Sequence, residues 1–168
     1  MPNHDPERLA ELEAEQHELV FPAFDHADAW RLGCRITETA LEAEHPVVID
    51  IRRPGLVLFR AALAGSAPDQ EEWVRGKSAV VFRMDASTAL VAERLAARGM
   101  DPTRGWLPFP EYAVAGGSVP VRVAGVGVVA AVTVSGLASD DDHRLVVDGM
   151  RAYLDEVAGA DAAGDDGR

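Results

Sequence analysis

The residue types with the clearest chemical potential fall between Tyr112 and His143. Gly125 to Ala130 reads GVGVVA and fits the G-x-G-x-x-G/A pattern, in which a glycine-rich turn cradles a dinucleotide pyrophosphate. That chemistry needs a strand before the motif and a helix opening inside it, so that backbone N–H groups and the helix dipole meet the phosphates. Here VPVRV precedes the motif and VVAAVTVS, rich in β-branched residues, follows it. The pattern predicts a hairpin between Val119–Val123 and Val128–Ser135, with AGVG as its turn, and not a cofactor cradle.

Gly116-Gly117-Ser118 leads into the first of those strands. Two glycines there allow positive φ or the close approach of another group to the backbone. They are either a bend into the sheet or the rim of a pocket. After the second strand, Ser139-Asp140-Asp141-Asp142 opens a helix. Its carboxylates complement the helix dipole and repel phosphate, and Ser139 with Asp142 has capping-box spacing. His143 follows. Beside a positive helix end its imidazole is expected to stay neutral, which suits a metal or haem ligand, a hydrogen-bonding role, or plain packing at the sheet edge.

Lys77 is the only lysine. It shares a predicted helix with Arg75 and Arg83, and Arg52, Arg53 and Arg60 surround the preceding hairpin. If these cations converge, they could hold a carboxylate or haem propionates by charge-assisted hydrogen bonds. With 28 acidic residues in the chain, pairing with Asp and Glu is the competing expectation. The ligand-binding candidates are therefore Lys77, Arg83, Gly116, Gly117, Ser118 and His143. No catalytic residue is assigned, because P-loop, HExxH, CxxC and G-x-S-x-G patterns are absent. His4, His17, His26, His45 and His143 are scattered without metal-ligand spacing. Cys34 is expected in the core.

These residues are positioned by a definite order of elements. Asp5 can cap a first helix with Pro6 in its first turn, and Leu19–Phe21 suits a short strand. Asp25 caps a second helix whose Ala29, Gly33, Ile36 and Ala40 share a face. Val47 to Ala61 alternates as a hairpin around Arg53-Pro54-Gly55-Leu56, a type II turn sequence. A helix from about Asp69 follows, with Ser66 and Asp69 at capping-box spacing and Trp73, Val80 and Met84 on its buried side. Asp85 opens another helix that closes at Gly99. MDPTRGWLPFPEYA is an ordered loop, and a last helix spans about Ser139 to Val157. Strands joined by tight turns make a mainly antiparallel sheet, with helices covering at least one face: an α+β domain.

At 168 residues the chain suits one domain, 1–157, with 158–168 as a disordered acidic tail. A formal net charge of −12 argues against nucleic acid or an anionic membrane as partner. A single cysteine excludes an intramolecular disulfide and, with a charged N-terminus and no apolar run of about 20 residues, points to the cytoplasm.

PVVIDIRRPGLVLFRAALAGSAPDQEEWVRGKSAVVFRM, YAVAGGSVPVRV and GVGVVAAVTVSGLASDDDHRLVVDGM together resemble the heme-degrading domain family, the GlcG/HbpS-like proteins, in a branch of small proteins with the same order of motifs. The resemblance covers about Leu19 to Leu154. It implies a profilin-like α+β fold with an antiparallel sheet of about five strands, homo-oligomers, and haem as the candidate cofactor. Related sequences often carry His before the glycine pair, where this chain has Ala115. The expected function is a homo-oligomeric small-molecule-binding protein. The alternatives are a non-catalytic oligomeric scaffold, or a haem-degrading enzyme that would need an external reductant.

Overall fold

A computed structural model describes residues 5–165. The elements run α1 (Pro6–Glu18), β1 (Val20–Phe21), α2 (His26–Glu42), β2 (Val48–Arg53), β3 (Leu56–Ala62), α3 (Asp69–Met84), α4 (Thr88–Ala97), β4 (Ser118–Val123), β5 (Gly127–Ser135) and α5 (Ser139–Asp165). They form one five-stranded sheet in the order β1-β4-β5-β2-β3. The α+β class and strand number match expectation, but the sheet is mixed. β2–β3, β2–β5 and β4–β5 are antiparallel, whereas β1 lies parallel to β4. The antiparallel rule follows from tight turns between consecutive strands, and β1 reaches β4 by no such turn.

Side chains alternate across a strand, and here the two faces differ. Ile49 and Ile51, Val119 and Val121, and Val132 and Val134 point into one apolar core with Leu32 and Ile36 of α2 and Val146 and Met150 of α5. The opposite face carries Asp50, Arg52, Ser118, Thr133 and Ser135, and α3 crosses it. A second core joins α1, α3, α4 and the following loop through Leu12, Val80, Leu90, Leu95 and Leu107.

Pro120 sits in the inner strand β4, a position that usually excludes proline. Val134 N donates to Gly117 O, so the antiparallel ladder alternates from there, and Pro120, paired opposite Ala131, turns its nitrogen away from β5. On that outer side β1 pairs only with Arg122 and Val123. Pro120 therefore breaks no hydrogen bond.

Helix ends explain most boundary differences. Asp5 and Asp25 cap α1 and α2 as expected, the latter in a full capping box with Asp28. Asp85 does not open α4: it is the left-handed C-cap of α3 at φ 50°, and Ser87 caps α4 through Leu90 N at 3.2 Å. Pro68 precedes α3 without any side-chain cap, so the Ser66–Asp69 box does not form. The last helix continues past Val157 to Asp165; residues 166–168 of the expected tail, like His4, lie outside the described residues. Cys34 is only partly buried.

Candidate functional site

Gly76-Lys77-Ser78 places the lone lysine on the face of α3 turned to the sheet. Its side chain is 3% exposed. Lys77 Nζ donates to Asp142 Oδ2 at 2.9 Å and to the Val134 carbonyl at 3.1 Å. An ammonium has three N–H donors, so one is left over. Asp142, equally buried, stands in the first turn of α5. Its Oδ1 accepts from Leu137 N at 2.9 Å and its Oδ2 from Gly136 N at 3.4 Å. The carboxylate thus ties the β5–α5 turn and does not box with Ser139.

The glycine pair is explained by this arrangement. At Gly117, φ is +121°, and a Cβ would lie 2.5 Å from Val134 O, 2.8 Å from Asp142 Cβ and 2.9 Å from Lys77 Nζ. At Gly116 a Cβ would lie 2.5 Å from Ser139 O. Gly117 lets the chain entering β4 press against the buried ion pair, and Gly116 lets it pass the Ser139 carbonyl at the head of α5.

Burial is the dominant electrostatic influence on that pair. It pushes the Lys77 ammonium down, with the Asp142 charge and hydrogen bond opposing it. It likewise pushes the Asp142 carboxyl up, against Lys77 and the two backbone donors. Each shift favours the uncharged form, as expected when desolvation exceeds pairing. Lys77 and Asp142 lie at the inner end of an open cleft of about 300 Å³ between the start of α3 and the β5–α5 turn. Trp73, Ala115 and Leu137 line its apolar part, and Asp69, Gln70 and Ser139 its polar part. Gln70 Nε2 fixes one wall by donating to Pro46 O at 2.9 Å and Ser135 O at 3.1 Å. Trp73 Nε1 donates to Asp69 Oδ2 at 3.1 Å.

The structure brings Lys77, Gly116 and Gly117 together and leaves the other candidates apart. Ser118 Oγ meets Thr133 Oγ1 at 2.8 Å inside the sheet, and its backbone N–H donates to Thr88 Oγ1 at 3.1 Å. Arg83 is exposed and lies over the rings of Tyr112 and Trp106, at 4.7 and 5.1 Å. His143 is buried, but its Nε2 meets Glu15 Oε1 of α1 at 2.7 Å, and its buried Nδ1 has no partner among the described residues. Of the two readings of the other cations, pairing is the one realised for three of them: Arg52 and Arg60 both grip the fully buried Asp50, Arg60 also meets Glu71, and Arg75 meets Glu72.

The sequence reading missed Asp142, Trp73 and Gln70 as cleft residues. The one local signal lay beside Lys77: of its small neighbours Gly76 and Ser78, Gly76 lets α3 pack closely against the loop at Pro110 and Ala113.

The model of the family described as "Haem degrading protein HbpS-like" matches residues 24–151. The chain belongs to the HbpS-like family. It is 49% identical over 149 residues to a UPF0303 protein of Streptomyces coelicolor, spanning 88% of this chain and 94% of that one. A UPF0303 protein of Acidobacterium capsulatum is 43% identical, over 87% and 89% of the two chains. Among solved structures, the Ybr137w protein superposes with a TM-score of 0.82 at 30% identity, covering 89% of each chain. A PduOC:heme complex shares the fold, with a TM-score of 0.65 at 16% identity over 77% of this chain and 94% of that one.

Haem held in this cleft would need an iron ligand and cations for its propionates among the lining side chains. Among the described residues the lining holds no His, Cys, Met or Tyr, the side chains that ligate haem iron. Lys77 is committed to Asp142, and Arg83 does not reach the cleft. The residues do not fit an iron porphyrin ligated and anchored there.

Proposed function

We propose that this HbpS-like protein binds a small, uncharged polar molecule in the cleft between α3 and the β5–α5 turn. The observation that carries this reading is the Lys77–Asp142 pair, buried at the inner end of an open, partly apolar cleft with one ammonium N–H unspent. Lys77 is neutralised by Asp142, and Asp69 adds a further negative charge, so the cleft repels anions. Trp73 and Leu137 supply the apolar contact that small-ligand sites use.

The test is amide and indole NMR of the labelled protein against a library of small neutral polar compounds. Shifts concentrated at Gly136, Leu137 and the Trp73 indole support the reading, and no response across the library sinks it. Haem is checked separately by optical titration. The expected result is no saturable Soret shift at one haem per chain; a saturable shift lost in His143→Ala would restore haem as the ligand.

Self-association is proposed alongside. Leu56 and Val57 of the edge strand β3 are exposed, and so is Trp30 of α2, whose ring meets Phe59 of the same strand. A cytoplasmic address remains part of the proposal; no helix among the described residues is long and apolar enough to cross a membrane.

A further inference from the structure

We infer that Lys77 is a nucleophile that forms a Schiff base with a small aldehyde or ketone in the cleft, with Asp142 carrying the protons. This rests on the binding reading above and names its substrate class. Three observations point to a carbonyl compound. The amine lies at the inner end of a cleft wide enough for a small molecule, about 300 Å³. Its carboxylate partner is 2.9 Å from Nζ and equally cut off from water. The walls are apolar on one side and carry no unpaired cation to attract a carboxylate.

The chemistry closes without any oxidant or reductant. Proton transfer from Nζ to Asp142 Oδ2 converts the ion pair into a neutral amine and a carboxylic acid, and desolvation favours that form of both groups. The Nζ lone pair then attacks the carbonyl carbon. An N–C bond forms, the carbon–oxygen π bond opens, and the oxygen takes the proton held by Asp142. The nitrogen gives its surplus proton back to Asp142, leaving a neutral carbinolamine. Asp142 next protonates the hydroxyl, water leaves, and the nitrogen lone pair closes the C=N bond. The iminium N–H then passes its proton to the Asp142 carboxylate, so the sum is amine plus carbonyl to imine plus water, with Asp142 ending as the acid it was before the attack. Val134 O and the Gly136 and Leu137 amides hold the two reacting groups in place. A lysine freed of its charge by burial is the form such chemistry requires.

The lone lysine makes the test unambiguous. The full chain is incubated with propanal, and separately with acetone, in the presence of cyanoborohydride, which reduces an imine to a stable secondary amine. Intact mass and peptide mapping then compare Lys77 with the α-amino group. An ordinary lysine has roughly a few hundredfold less free amine at pH 7 than an α-amino group. The expected result is faster labelling of Lys77 than of the α-amine in native protein, with the order reversed in urea. Labelling confined to the α-amine overturns the proposal. Asp142→Asn should slow Lys77 labelling while leaving the α-amine rate unchanged; equal Lys77 rates would remove Asp142 from the chemistry and overturn its assigned role. NMR shifts at Gly136 and Leu137 without any Lys77 adduct would overturn the covalent step and keep the binding site. Neither shifts nor adduct would end both.

Discussion

Strand β2 sends Ile49 and Ile51 to one face of the sheet and Asp50 and Arg52 to the other, and all but Arg52 are fully buried. Beneath α2 and α5 the packing is apolar, with a polar contact at its margin where Tyr153 Oη donates to Asp28 Oδ1 at 2.6 Å. Beneath α3 it is polar and paired: Asp50 with Arg52 and Arg60, Ser118 with Thr133 and Thr88, Lys77 with Asp142. Apolar burial is non-directional and roughly proportional to area. Buried polar groups have value only when every partner is present. One face therefore tolerates gradual change, whereas the other fails group by group. The cleft lies at the end of the demanding face.

The largest effect should separate the faces most sharply. Asp142→Ala leaves a buried ammonium without its partner and should cost about 3–5 kcal/mol, while Lys77→Met with Asp142→Leu should recover most of the loss. On the apolar face, Ile49→Ala should cost about 2–5 kcal/mol with no second truncation that recovers it. Urea unfolding of the four proteins checks this, and a double substitution as damaging as the single one breaks the comparison.

Gly117→Ala comes next. Backbone strain at φ +121° contributes about 1–3 kcal/mol by itself, and the added methyl would meet a carbonyl, which cannot move aside as a side chain could. Ser118→Ala strands the Thr133 hydroxyl and should cost about 1–3 kcal/mol, most of it regained on adding Thr133→Val. Thermal unfolding reads both.

The pH dependence follows from the shift directions. Lys77 is lowered, so between its folded and unfolded values the unfolded state binds more protons and stability rises with pH. Asp142 is raised, so the folded state binds more protons over its interval and stability falls as pH rises. As pH rises toward the ordinary lysine value of about 10 the lysine effect governs, and wild type should gain stability relative to the Lys77→Met/Asp142→Leu protein. Parallel stability curves over that range would refute it. The smallest effect on stability, within about 0.5 kcal/mol, is expected for exposed Val57→Lys; its readout is a lower mass in light scattering if β3 carries self-association.

Much of the fold was legible because periodicity speaks locally. Ala29, Gly33, Ile36 and Ala40 fixed the buried face of α2, and alternation around Arg53–Leu56 fixed the first hairpin. The refusal of GVGVVA as a cofactor motif rested on its β-branched flank, and the structure places it at the start of β5. The parallel pairing of β1 was not legible, since nothing in Val20 and Phe21 names a partner about a hundred positions away. Nor was the junction of Lys77 with Asp142. Composition marked Lys77 as unusual, but pattern alone grouped it with Arg83, which faces an aromatic shelf instead. His143 and Asp142 are neighbours in sequence, yet one turns to α1 and the other to α3.

Pro120 and the brevity of β1 carry a further consequence. On the β4 side, β1 offers two residues before Pro22, and beyond them Pro120 presents no N–H. The β3 side offers a strand of seven residues, interrupted by one bulge at Leu58. A sheet that can be extended from only one margin cannot polymerise head to tail. If two such margins meet, both are used up, and no fibril can grow from the product by the same contact.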